Sequence, residues 1–162
     1  MEQTQKNIQK GKKQFLNELI ELLKIPSISA DSNYNDETIK CSKWVKSAMD
    51  LIGLQRTKIY ETLGHPIVFG EFHLDDKLPT VLIYGHYDVQ PPDPLDLWTS
   101  PPFDPIIKNE KIYARGAADD KGQFYMYFAA IKSMIQANEV PCNIKVLIEG
   151  EEEVGSENLE KF

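Results

Sequence analysis

The sequence predicts an α/β fold carrying a ligand site at one edge of its sheet. Strand-like apolar runs alternate with amphipathic helical stretches along the 162 residues. Three polar clusters, His86-Tyr87-Asp88, Asp119-Asp120 and Glu151-Glu152-Glu153, each lie just past a strand or a strand and loop. Hard carboxylate oxygens gathered around one imidazole suit a divalent metal ion. Open α/β sheets place such sites at the carboxyl ends of their strands.

Each element is readable in turn. Asn7 to Lys24 carries Phe15, Leu19, Leu22 and Leu23 at helical spacing, and Pro26 ends the run. Ser27 to Asn35 is polar and reads as a loop. Asp36 is placed to cap a second helix reaching Ile52, with the stripe Ile39, Trp44, Val45, Ala48, Met49 and Ile52, and Gly53 closes it. Thr57 to Thr62 and Ile67 to His73 read as strands joined by Leu63-Gly64-His65-Pro66, hence a hairpin. Thr80 to Tyr84 contains Val81-Leu82-Ile83-Tyr84, the continuous apolar run of a central strand covered on both faces.

Between Pro91 and Pro105 six prolines exclude helix and central strand. Trp98 and Phe103 are expected to pin this loop to the body. Ile106 to Ala114 returns as strand with a bend at Asn109-Glu110. Gly122 to Gln136 is a helix whose apolar positions nearly surround it, predicting deep burial. Asn143 to Ile148 is a second core strand. A further helix is expected to start at Glu157 and to be interrupted by the end of the chain, so the sequence reads as the N-terminal part of a longer protein.

Composition narrows the function classes. Hydrophobic residues at 41% and charged residues at 27% describe a globular chain long enough to bury a core. A formal charge of -7 argues against nucleic acid or an anionic membrane as partner. The N-terminus lacks the apolar region of a secretory signal, and no run reaches the roughly 18 residues of a membrane span. Cys41 and Cys142 form no CxxC pair and read as reduced, buried thiols of a cytoplasmic protein.

The clusters differ in what they offer. His86 and Asp88 are two residues apart, so an extended chain places both on one face. Asp88 is then able to accept a hydrogen bond from the imidazole and fix its tautomer. Asp119-Asp120 precedes a helix, where an N-cap is the plain alternative to a carboxylate shared by two cations. Adjacent glutamates point in different directions, so one of the three is able to ligate metal while its neighbour acts as general base. Arg115 is expected to pair with a nearby acid, and His65 and His73 to lie on the surface.

Taken together, the segments Tyr84-Gly85-His86-Tyr87-Asp88-Val89-Gln90-Pro91, Trp98 with Pro102-Phe103, Ala114-Arg115-Gly116-Ala117-Ala118-Asp119-Asp120-Lys121-Gly122 and Glu149-Gly150-Glu151-Glu152-Glu153-Val154-Gly155-Ser156 resemble the zinc-dependent dipeptidase, aminoacylase and acetylornithine deacetylase family, most nearly its carnosinase-like dipeptidases. The resemblance implies a three-layer α/β/α zinc-exopeptidase-like catalytic domain with a mixed, mostly parallel central sheet. Residues 1–162 would be its N-terminal part, without the lid and dimerisation domain.

It further implies two zinc ions, with manganese or cobalt as alternatives. His86 would ligate one, Glu153 the other, and Asp119 would bridge them through a residue followed by a cis peptide bond. Asp88 would hold the imidazole, and Glu152 would be general base and proton donor. Two further ligands of the family pattern, a later aspartate and a late histidine, have no counterpart here, so this chain alone is expected to be nearly inactive. The implied substrate is a dipeptide, with an acyl-amino acid as alternative, and the parent a homodimer. A different class of reading is a metal- or partner-binding remnant without catalysis.

Overall fold

The computed structural model describes residues 1–162. In chain order the elements are α1 (Glu2–Leu23), α2 (Asn35–Ile52), β1 (Gln55–Tyr60), β2 (Ile67–Phe72), β3 (Thr80–His86), β4 (Ile106–Lys108), β5 (Lys111–Tyr113), α3 (Lys121–Ala137) and β6 (Asn143–Glu149).

α1 begins earlier than its apolar spacing indicates because a distant residue caps it. The Glu139 carboxylate, just past α3, accepts the Thr4 amide at 3.0 Å and the Thr4 hydroxyl at 2.6 Å, and pairs with the Met1 ammonium at 3.0 Å. These contacts satisfy donors that a first helical turn leaves open. Entry to α2 also differs from expectation. A short turn, Ser32–Tyr34, comes first and is capped by Asp31 through the Asn33 amide, while Asp36 lies inside the first turn of the helix. Gly53 closes α2 in the left-handed region, at φ 97°.

The main sheet has the order β1-β2-β6-β3. β1 and β2 form the expected hairpin, and β2 pairs antiparallel with β6. β3 and β6 run parallel. The sheet is therefore mixed, as expected, but parallel pairing is not the majority. A tight turn forces the hairpin antiparallel, and only the long connection through α3 permits a parallel return.

All three helices pack on one face, α1 and α2 both against α3, and α2 and α3 against the strands. The core between them joins Leu22, Val45, Met49, Val68, Phe124, Phe128, Val146 and Ile148. Residues 1–162 thus supply two of the three expected layers. On the other face of β3, Leu82 is 61% exposed and Tyr84 47%. β3 is an edge strand and not the doubly covered central one; β6 takes the interior place. An apolar run reports a strand's hydrophobicity, not its neighbours.

α3 is buried along Phe124, Tyr125, Phe128 and Ile131, but Met126 and Tyr127 face outward, so its burial is one-sided. β4 and β5 form a separate hairpin, with Asn109 and Glu110 both left-handed at φ 51° and 60°. Trp98 closes the proline-rich loop on itself, its indole N–H donating to the Pro92 carbonyl at 2.7 Å, and the loop is tied to the chain before α3 where the Arg115 amide donates to the Pro102 carbonyl at 2.8 Å. Beyond Gly155 no helix forms. The last residues make turns instead, with Leu159 bonded to the Ser156 carbonyl and Phe162 to that of Leu159. Both cysteines are free thiols, Cys41 buried and Cys142 half-buried. No helix is long and apolar enough to cross a membrane.

Candidate metal centre

Parallel pairing of β3 with β6 decides where the clusters meet. His86 is in register with Glu149, so the glutamates that follow β6 emerge beside the residues that follow β3. The loop entering α3 brings Asp119 to the same edge. His86 Nε2 lies 3.1 Å from Asp119 Oδ1 and 3.7 Å from Glu152 Oε2. One ligand atom from each of His86, Asp119 and Glu153 falls within 4.8 Å of the others.

This donor set fits a divalent cation. Zinc–nitrogen and zinc–oxygen bonds of about 2.0–2.1 Å at tetrahedral angles separate ligand atoms by about 3.3 Å. The His86–Asp119 separation is close to that value. The imidazole is buried, whereas the Asp119 side chain is 73% exposed, so the site opens to solvent on its carboxylate side.

Asp88 organises the centre from beneath. It is fully buried, with His86 Nδ1 3.1 Å from its carbonyl and 3.3 Å from Oδ1. Its carboxylate also accepts the backbone amides of Glu152 at 3.3 Å and Glu153 at 3.0 Å. Engaging Nδ1 this way leaves Nε2 directed at Asp119, the orientation a metal ligand needs. In the metal-free centre, burial pulls the His86 pKa down, but the Asp88 hydrogen bond and the charges of Asp88, Asp120 and Glu152 outweigh it and raise the value to about 9.

The two aspartates before α3 divide their work. Asp119 faces His86, while Asp120 Oδ2 accepts the His86 amide at 3.0 Å and makes no side-chain cap to the helix. Burial raises the Asp120 pKa. The Asp119-Asp120 peptide bond is cis, as the resemblance implied. Gly122 is required for this loop to close, because a Cβ there would lie 2.0 Å from the Ala117 carbonyl oxygen.

The three glutamates also separate. Glu151 turns away toward Gly64 of the β1–β2 hairpin and accepts the Asn158 side-chain amide at 2.8 Å. Glu152 faces His86, and Glu153 Oε2 accepts the Gln90 side-chain amide at 2.6 Å. Arg115 has no acidic partner; it lies over the Trp98 ring and donates to the Pro91 carbonyl at 3.1 Å. His73 is on the surface, but His65 is half-buried with Nε2 3.2 Å from the Ser29 carbonyl.

Two residues near the centre were assigned no role from the sequence, although Lys121 lies within one of the segments that carry the resemblance. Ser29, in the loop after α1, donates to Asp88 Oδ2 at 2.6 Å. Lys121 is wholly buried and donates to the Ile25 carbonyl at 2.6 Å, tying the start of that loop to α3. A loop serine is chemically ordinary, and a lysine normally marks a surface.

A mixed α/β sheet whose strands end in a histidine–carboxylate cluster offers a donor set for a divalent cation. The model of peptidase family M20/M25/M40 matches residues 82–162, and the chain belongs to that family. A Cys-Gly metallodipeptidase of Schizosaccharomyces pombe is 34% identical over 94% of this chain and 34% of its own length. Among solved structures, the M20 metallo-carboxypeptidase Sso-CP2 of Sulfolobus solfataricus is 44% identical, with a TM-score of 0.83 over 91% of this chain and 33% of that one. Human carnosine dipeptidase 1 is 28% identical, with a TM-score of 0.88 over 99% and 36%. The chain spans about a third of the length of these relatives.

Proposed function

We propose that these residues form part of a metal-dependent dipeptidase in which His86, Asp119 and Glu153 would hold up to two zinc ions. The observation that carries this is the approach of His86, Asp119 and Glu153 to within 4.8 Å at the ends of β3 and β6. Bound metal would supply a Lewis acid that polarises the amide carbonyl and lowers the pKa of water.

The chain's own groups do the rest. Asp88 fixes the imidazole so that Nε2 faces the metal position. Glu152, 43% exposed and 3.7 Å from His86 Nε2, is open to solvent and next to that position. It is the general base that takes a proton from the attacking water and returns it to the leaving amine. The similarity to a Cys-Gly metallodipeptidase and to carnosine dipeptidase 1 supports dipeptides as substrates. Placement in the cytoplasm agrees with the free thiols.

His86, Asp119 and Glu153 are three donors in all, fewer than two catalytic zinc ions with the usual three protein ligands each would need. The 162-residue chain by itself should therefore bind metal weakly and turn over little. The test pairs this chain with a polypeptide of the relatives' length that contains it, each assayed with Cys-Gly, β-Ala-His and N-acetyl amino acids, with and without Zn²⁺, Mn²⁺ or Co²⁺. Metal-dependent cleavage of the dipeptides by the longer chain alone supports the reading. Preference for the acyl-amino acids would make it a deacylase, and metal binding without turnover of any substrate would leave a binding role.

A further inference from the structure

We propose that Ser29 is a positioning residue of the metal centre, acting through Asp88; this rests on the metal-binding reading above. Ser29 lies outside the segment that matches the family model, more than fifty positions before the residue it touches.

The argument begins with how Asp88 is satisfied. A carboxylate offers roughly four lone-pair positions. Here Oδ1 faces His86 Nδ1 at 3.3 Å and accepts the Glu152 amide at 3.3 Å, while Oδ2 accepts the Glu153 amide at 3.0 Å and the Ser29 hydroxyl at 2.6 Å. Asp88 is fully buried, so no solvent makes up for a missing donor. The Ser29 bond is the shortest of the four and is charge-assisted. Without it Oδ2 keeps a single donor, and the carboxylate is free to swing toward the imidazole or the Glu152-Glu153 backbone. Either movement displaces groups assigned to the metal.

The loop bearing Ser29 is built to hold it in place. Lys121 fastens the Ile25 carbonyl at one end. Ile28 then forms a parallel bridge with Val89, the Val89 amide donates to the Ser27 carbonyl at 3.0 Å, and the Ser27 hydroxyl donates to the Tyr87 carbonyl at 2.6 Å. Residues 27–29 thus run as a short extra strand beside 87–89, which sets the Ser29 hydroxyl against Asp88. The Ser27 hydroxyl donates to a backbone carbonyl, whereas Ser29 reaches a charged side chain shared by the whole centre.

The test uses the 162-residue chain, with Zn²⁺ affinity measured by competition against a chromophoric chelator and the fold of each metal-free variant followed by thermal melting. Ser29→Ala is expected to lower affinity by about 10–100-fold, the usual effect of losing an outer-shell partner. Ser29→Thr, which keeps the hydroxyl, should recover most of the loss. In an Asp88→Asn background Ser29→Ala should change nothing further, because both act through one group. Unchanged affinity in Ser29→Ala overturns the proposal and leaves the metal reading standing. Additive effects with Asp88→Asn, or a variant unfolded at the assay temperature, also overturn it, since the residue would then serve the fold at large. If neither the 162-residue chain nor a polypeptide of the relatives' length that contains it binds Zn²⁺, the metal reading falls and this inference with it.

Discussion

The backbone N–H of Glu153 donates to Oδ2 of Asp88 at 3.0 Å, joining the chain beyond β6 to the chain beyond β3. The same carboxylate takes the neighbouring Glu152 amide and faces His86. One buried acid therefore sets the histidine and both glutamates of the centre. Asp88→Ala leaves these donors unpaired in the interior, where each open polar group costs about 1–3 kcal/mol. Urea unfolding should show a loss of about 3 kcal/mol, and Zn²⁺ affinity should fall at least tenfold by chelator competition. A variant of parental stability and affinity would contradict this arrangement.

His86 predicts opposite pH responses with and without metal. Its pKa in the folded, metal-free chain is about 9, above the ordinary 6.5. Stability from the charged ring is thus complete below about 6.5 and is lost as pH rises through about 9. The metal-free chain should melt at lower temperature above pH 9 than at pH 6.5, and His86→Gln should flatten that slope. Zn²⁺ binding near neutrality must expel this proton. Calorimetry in buffers of different ionisation enthalpy should detect its release, with apparent affinity rising up to about pH 9.

Glu152→Gln separates holding metal from doing chemistry. Glu152 lies outside the three-residue donor group, so Zn²⁺ affinity should stay near that of the parent. In a polypeptide of the relatives' length, dipeptide hydrolysis should drop by about 10²–10⁴-fold, the usual contribution of a general base. Equal loss of metal and activity would instead make Glu152 a ligand.

Gly122→Ala tests the closure of the Asp119 loop. The added methyl meets a backbone oxygen, which has no rotamer through which to yield. Stability should fall by about 1–3 kcal/mol or more, and metal affinity with it as Asp119 moves. Retention of both in Gly122→Ala would show that the loop has slack.

Glu139 controls the start of α1. Its contacts with Thr4 and the N-terminus lower its pKa from 4.5 to about 2. Stability from this cap is complete above about pH 4.5 and is lost as pH falls through about 2. Glu139→Gln should fray the first turn of α1 at neutral pH, seen as faster amide exchange in the first helical turn, and weaken the acid dependence.

Much of this protein was determined by local sequence alone. The stripes of α1 and α2 and the Leu63–Pro66 turn specify their elements because helix, hairpin and cap are set by near neighbours. The residues of the centre were legible as well, since the donor types and the motif around them sit on short contiguous segments. Tertiary structure decided the rest, because it depends on which distant segments become neighbours. It put β3 at an edge and β6 inside, placed all three helices on one face, let Glu139 extend α1, and turned the expected last helix into turns. It also sorted the glutamates, sending Glu151 to the hairpin while Glu152 and Glu153 face the centre. Ser29 and Lys121 became part of that centre only when the loop after α1 was laid beside residues 87–89. Their hydrogen bonds span about sixty and one hundred positions, and no local pattern encodes such a pairing.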